Sequence, residues 1–253
     1  MYFAFFMCSL RWPHSERTID VLDRLIDWVS PGKSLQVIAD VRPDEPQMKP
    51  TITGDYRACR SQLARRDIKH LRLGTRDWRP GTGAELYVFL ENERPALPVT
   101  NQQAVGESPL MLFTLSINLE IWNRQEKTAQ VVYSVLEDLF VESNSVYGAG
   151  HERQRILSGP FDLIEERVTS RPVRIIDFDF YHAIPAVYRC NYLSDQLVAK
   201  IELPQSLCRI EGVTCRSLNS TSDRQALALY FDRYQPAVVS QVREHLHHLV
   251  GAD

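Results

Sequence analysis

Leu110–Ile121 reads LMLFTLSINLEI, and it alternates. Met111, Phe113, Leu115, Ile117, Leu119 and Ile121 fall on one face of a strand; Thr114, Ser116, Asn118 and Glu120 fall on the other, because successive strand side chains point to opposite sides. One apolar and one polar face predict a sheet with a face at least partly open to solvent, as antiparallel and mixed sheets have. Directly after it, Asn123 with Glu126 three residues on predicts a capped helix start. Val131, Val132, Val135, Leu136, Leu139 and Phe140 supply that helix with a broad apolar stripe.

Working outward toward the N-terminus, residues 2–10 are apolar on both faces, which predicts a central strand covered on both sides. The apolar opening MYFAFFMCSL has no basic residues before it and is too short to span a bilayer, so a buried strand is expected rather than a leader or a membrane span. Ser15 caps a helix to about Val29, with Ile19, Leu22, Ile26 and Val29 on one stripe, and Ser30-Pro31-Gly32 stops it. Ser34–Asp40 reads as a strand and Val41–Pro50 as a proline-rich surface connection. Asp55–Arg66 reads as a short helix. Its Arg57, Arg60, Arg65 and Arg66 suit either phosphate binding or, as the favoured reading, a solvated face balanced by acids. Leu73–Gly83 reads as a loop carrying Trp78 between Asp77 and Arg79, and Ala84–Glu91 as a strand.

Toward the C-terminus, Asn144–Gly150 reads as a glycine-marked loop, and Asp162, Glu165 and Glu166 form a small acidic cluster. Pro172–Ile201, PVRIIDFDFYHAIPAVYRCNYLSDQLVAKI, reads as a long strand, a proline break, a short strand, a turn and a short helix. Strands at Cys208–Leu218 and Gln225–Asp232 flank a polar turn at 219–223, and Pro236 opens a last helix with Val239, Val242, Leu246 and Leu249 on its stripe. Strand–helix–strand order with long strand–strand stretches predicts the α+β class: a mixed or antiparallel sheet flanked by helices. No clean flexible linker interrupts the chain. A single continuous domain over 1–253 is expected, with 1–150 and 151–253 as the lobes it would have if it divides.

The composition is that of an ordinary folded protein, 44% hydrophobic and 24% charged over 253 residues. A formal net charge of −3 argues against a general nucleic-acid binder. Five scattered cysteines without a CxxC pair predict reduced thiols in a cytoplasmic protein, neither a disulfide framework nor a zinc site.

The candidate chemistry is sparse. Asp177 and Asp179 share one face of the expected strand with Val173, Ile175 and Tyr181, about 6.6 Å apart along the chain. Paired carboxylates at that spacing could hold a metal or divide acid and base work, which keeps a metal-dependent hydrolase as the alternative reading. The pair has no lysine close by, and His182 falls on the opposite strand face, so solvent-facing or partner-facing acids are favoured. His245, His247 and His248, with Glu244, could ligate a metal through the i,i+3 pair His245 and His248. The arrangement is not HExxH, and histidines near a helix C-terminus are the simpler explanation. No GxSxG elbow is present. No cofactor and no catalysis are expected.

Cys190-Asn191-Tyr192-Leu193 leading into Gln196-Leu197-Val198 resembles a strand-to-helix turn of type VI secretion immunity proteins, the antitoxin partners of antibacterial effectors. The resemblance continues through the strand pair at 208–218 and 225–232 and the C-terminal helix, and it matches the front half in element order. It implies a non-catalytic protein that binds a cognate effector toxin tightly and covers its active site. A nuclease, of VRR-NUC type, is the implied target. Asp177, Asp179, Glu165 and Glu166 are the expected acidic contacts, with Trp78 and Tyr181 as aromatic anchors. Direct nucleic-acid or membrane binding is not implied.

Overall fold

Every residue of Tyr2–Ser9 is buried, so this strand must lie where both of its faces are covered. The computed structural model describes residues 1–9, 15–42, 51–75, 85–91, 111–123, 126–155, 157, 163–164, 173–175, 178–219 and 225–250. In chain order the elements are β1 (Tyr2–Ser9), α1 (Ser15–Val29), β2 (Leu35–Val41), β3 (Thr51–Asp55), α2 (Tyr56–Ala64), β4 (Ile68–Thr75), β5 (Leu86–Glu91), β6 (Met111–Asn118), α3 (Leu119–Trp122) and α4 (Glu126–Glu142). They continue with β7 (Ser145–Arg153), β8 (Leu163–Ile164), β9 (Val173–Arg174), β10 (Cys190–Leu193), α5 (Asp195–Val198), α6 (Pro204–Leu207), β11 (Val213–Asn219), β12 (Gln225–Phe231) and α7 (Pro236–His245).

Ten strands form one open sheet in the order β11-β12-β10-β7-β1-β6-β5-β4-β2-β3. Every neighbouring pair in it is antiparallel. The fold is therefore α+β but dominated by its sheet. β10, β11 and β12 come from after residue 153, and β10 pairs with β7, so both halves of the chain contribute to the same sheet. β8 and β9 pair separately.

The two faces of β1 feed two cores. Phe3, Phe5 and Met7 join the stripe of α1, Leu63 of α2, and Val132, Val135, Leu136, Leu139 and Phe140 of α4. Tyr2, Ala4, Phe6 and Cys8 join Phe180, Ile184, Leu197, Leu207, Val242 and Leu246 on the second face. The stripe expectations for α1 and α4 hold. Asn123 closes α3 and does not cap α4, which starts at Glu126. At the start of α2, Asp55 accepts from the N–H groups of Arg57 and Ala58. Arg17 and Arg24 tie α1 to Glu142 and Asp138 of α4. Such exposed pairs contribute about 0–1 kcal/mol each, so the buried stripes carry the packing.

Four sequence expectations are corrected. Gly148 and Gly150 sit in the middle of β7 rather than in a loop. A Cβ on Gly150 would lie 2.8 Å from Cζ of Phe3 and 2.8 Å from Sγ of Cys190, and one on Gly148 would lie 3.1 Å from Cζ of Phe5. Glycine stands there because aromatic rings from β1 occupy the space a side chain would take. Second, β6 stops at Asn118, whose Oδ1 accepts from the Glu120 N–H at 2.8 Å and turns the chain into α3; Asn123 closes that turn. Its polar face is not open either. Thr114 and Ser116 are buried, Thr114 Oγ1 donates to the Leu157 carbonyl at 3.0 Å, and the Leu157 N–H donates to Ser116 Oγ at 2.9 Å. Two hydroxyls thus serve a passing backbone as a neighbouring strand would. Third, the expected loop from Leu73 is strand β4 as far as Thr75. Fourth, Cys208 ends α6, and the strand expected from there begins only at Val213.

Gly150→Ala is expected to cost about 1–3 kcal/mol, the range for overpacking a filled core. Gly32→Ala, which faces open space, should cost only the left-handed backbone penalty of about 1–2 kcal/mol at its φ of +74°. Urea midpoints compare the two. A Gly150→Ala midpoint at or above that of the wild type would show that ring contact does not dictate the glycine.

Candidate partner-binding surface

The expected long strand from Pro172 is not formed. β9 ends at Arg174, and residues 178–183 make turns. The cause is one buried ring. Phe180 is fully buried on the second face, stacked on Tyr147 at 5.5 Å and 14°, and packed against Phe6 at 5.8 Å and Phe178 at 4.8 Å. Residues 178–188 then run as a strap fastened to the sheet through polar contacts. Tyr147 Oη donates to the Ala186 carbonyl at 3.3 Å, Tyr234 Oη to the Val187 carbonyl at 2.6 Å, and Ile184 N–H to the Leu249 carbonyl at 2.7 Å. Asn191, buried in β10, accepts from the Tyr188 N–H at 3.0 Å and donates to the Tyr188 carbonyl at 2.8 Å. A buried amide that satisfies both backbone groups of Tyr188 fixes the strap where it leads into β10.

The strap presents Asp179 outward. Its carboxylate accepts from the Tyr181 N–H at 3.1 Å and contacts His182 Nδ1 at 2.8 Å. Its carbonyl accepts from the His182 and Ala183 N–H groups at 3.3 and 3.2 Å. The strand reading had put His182 on the opposite face; the turn makes it the carboxylate's neighbour. Lys200 Nζ donates to the Tyr181 carbonyl at 3.0 Å, so Asp179 stands in a mixed-charge setting with its side chain 52% exposed. Tyr181 is half-buried beside it. Trp78, Glu165, Glu166 and Asp177 lie outside the described residues.

The other candidate groups have structural partners. Arg60 pairs with Asp23 at 2.6 Å and Asp20 at 3.6 Å, and Arg57 lies 3.9 Å from Asp27, which makes this the acid-balanced helix face. His245 Nδ1 contacts the Gln241 carbonyl at 2.9 Å, His247 Nδ1 the Glu244 carbonyl at 2.6 Å, and His248 lies 3.7 Å from Glu202. Among the described residues no group of three or more His, Cys, Asp or Glu side chains is placed to hold a metal. No described helix is long and apolar enough to cross a membrane.

One surface escaped the sequence reading. The second-face core takes Tyr87 and Phe89 from β5 but no residue from β4, β2 or β3. There Arg72 lies over the Phe89 ring at 5.9 Å, the His70 ring meets Phe89 edge-on at 5.0 Å, and Asp40 accepts from Thr51 at 2.9 Å with His70 3.7 Å away. The signal was the alternation of IKHLRLGT, with Leu71 and Leu73 inward and His70 and Arg72 outward. Burial holds His70 below its ordinary value; Arg72 adds to this and Asp40 opposes it.

No family model matches the chain. No curated protein matches it in sequence. A solved structure, the Pseudomonas aeruginosa T6SS protein PA0821, shares the fold with a TM-score of 0.59 at 12% identity, over 98% of this chain and 72% of that one. At that identity the likeness is one of fold.

A folded-state pKa below the unfolded value means that protonating His70 favours unfolding. Its contribution to stability is present above the unfolded pKa of about 6.5 and is lost as pH falls through the folded value. His70→Gln should therefore flatten the dependence of the urea midpoint on pH across this range. An unchanged slope would show that His70 is not the group responsible.

Proposed function

We propose that this chain is an immunity protein of a type VI secretion system, binding a cognate antibacterial effector, most simply a nuclease, and covering its active site. The observation that carries this reading is the fold likeness to a T6SS protein over 98% of the chain, a match of whole architecture rather than of one motif. The turn behind the sequence resemblance adds to it: β10 runs into α5 through Ser194, whose side chain caps the Leu197 N–H.

The physical logic is complementarity. A nuclease site is built to attract phosphate, so a carboxylate presented on a fixed strap can enter it and steer association. Asp179 is held at such a position by its turn and by Phe180 beneath it, with Tyr181 as an adjacent aromatic contact. Affinity would come from a few desolvated anchors rather than from the acids. In this role the chain is not an enzyme, needs no cofactor, and acts in the cytoplasm where the effector arrives.

Co-expression with the effector encoded at the same locus is the test. The chain should restore growth, co-purify with the effector and abolish its cleavage of DNA in vitro. Absence of both protection and complex would end the immunity reading. Asp179→Lys combined with Asp177→Lys should weaken the complex by about tenfold or more, the scale of a lost interfacial charge contact. Unchanged complex lifetime would move the interface away from the strap.

A further inference from the structure

The ten-strand sheet is open, so β11 and β3 are its two edges. At β11 the ladder itself shows which backbone groups point outward. Asp232 N–H donates to the Gly212 carbonyl at 3.1 Å, which makes these two a hydrogen-bonded pair in the register of β11 on β12. Bonded and non-bonded pairs alternate along an antiparallel ladder. Thr214, Arg216 and Leu218 therefore bond to Tyr230, Ala228 and Ala226, while Val213, Cys215 and Ser217 turn their N–H and C=O groups away from the sheet. Two further bonds agree. Val213 N–H donates to the Ile210 carbonyl at 3.1 Å, and the N–H of Phe231, opposite Val213, donates to the Arg189 carbonyl at 3.0 Å on the other side of β12. The outward backbone groups of Cys215 and Ser217 have no partner among the described residues.

Sheet edges are commonly guarded by proline, lysine, a bulge or simple shortness. β11 has none of these: its seven residues, VTCRSLN, keep one register along β12. The other edge, β3, has five residues and passes at Asp55 straight into α2. The single charge on β11 does not guard its edge either. The Arg216 guanidinium lies over the Tyr230 ring at 5.5 Å and donates through Nη1 to Glu137 at 3.2 Å. Its side chain is 49% exposed, and a guanidinium carries five N–H donors, so Glu137 leaves most of them available.

We propose that β11 is a docking edge for an extended segment of a partner protein, which adds as one more antiparallel strand and carries a carboxylate opposite Arg216. Main-chain bonds to Cys215 and Ser217 supply the attachment, and alternate side chains supply the selectivity. On the second face the added strand lies beside Val213 and Cys215, which border the core there, so apolar side chains extend that core. On the first face it meets Thr214 and Arg216, both exposed, where a carboxylate accepts from the guanidinium. A second copy of this chain fits less well. The two-fold register that uses both Cys215 and Ser217 sets Arg216 opposite its own equivalent, and like charges facing each other across a ladder are destabilising. This docking role does not rest on the immunity reading.

The probe is a blocked synthetic peptide, acetyl-Thr-Val-Glu-Val-Thr-Val-amide, with a lysine-for-glutamate version as its control. Titrated into the isotope-labelled full chain and followed by NMR, it should bind saturably and slow the exchange of the Cys215 and Ser217 amides. The Thr214 and Arg216 amides, already bonded to β12, should change little. The lysine peptide should bind about fivefold or more weakly, and Arg216→Gln should remove that difference. Ser217→Pro deletes an outward N–H and leaves the β11–β12 ladder intact, a position where an edge strand tolerates proline. It should keep the urea midpoint and lose the peptide; if it fails to fold, the amide pattern of the wild type decides. Unslowed exchange at Cys215 and Ser217, equal binding of the two peptides, or self-association through β11 in place of peptide binding would overturn the proposal.

Discussion

The fold depends on β1 fitting two of its rings against the glycines of β7. Phe3 and Phe5 project over β7 where Gly150 and Gly148 leave room. From these rings an aromatic row spreads across the first face. Phe3 stacks on Trp122 at 4.0 Å and 6°, Trp122 meets Tyr133 at 5.6 Å, Tyr133 meets Tyr230 at 4.6 Å, and Tyr192 joins Tyr230 at 5.8 Å and Phe5 at 5.4 Å. The row crosses from α3 and α4 to β10 and β12, so one continuous contact surface links elements from both ends of the chain. Glu137 of α4 finishes it by accepting from Tyr230 Oη and from Arg216 of β11. Because interiors are close-packed, the glycines set how near α4 can approach the sheet.

The second face is organised by polar groups set among apolar ones. Thr114, Ser116, Tyr147 and Asn191 each meet a backbone that no strand pairs with, at Leu157, Ala186 and Tyr188. An unmet buried backbone group costs about 1–3 kcal/mol, so these side chains make it possible for irregular segments to cover a sheet. The strap at 178–188 owes its shape to them and to Phe180. Asp179 and Tyr181 are consequently held at the surface by the core beneath rather than by a strand of their own.

Much of the architecture was legible locally. The apolar run at 2–9, the stripe of α1, the short helix α2, strand β5, the β10–α5 turn, β12 and α7 all follow from period, cap and breaker signals that act within a few residues. The errors share a cause. Glycines in β7 read as a loop because their reason is Phe3 and Phe5, far away in sequence. The alternation of Val173 to Tyr181 read as a strand because nothing local reveals that Phe180 is wanted in a pocket between Phe6 and Tyr147. The polar face of β6 read as solvent-facing because hydroxyls suit water and a passing backbone equally well. The cluster of His70, Arg72, Asp40 and Phe89 draws on three strands and has no motif.

The sequence by itself determined the class of the fold, its central strand, most of its helices and the scarcity of metal or nucleophile signatures, since these rest on short-range periodicity and residue chemistry. Only the tertiary structure decided that the sheet has ten strands with every neighbouring pair antiparallel, and that Asp179 belongs to a turn beside His182. Those facts depend on which surfaces touch after the chain has closed on itself. Contact between residues distant in sequence is set by packing volume and hydrogen-bond satisfaction, which no local pattern encodes.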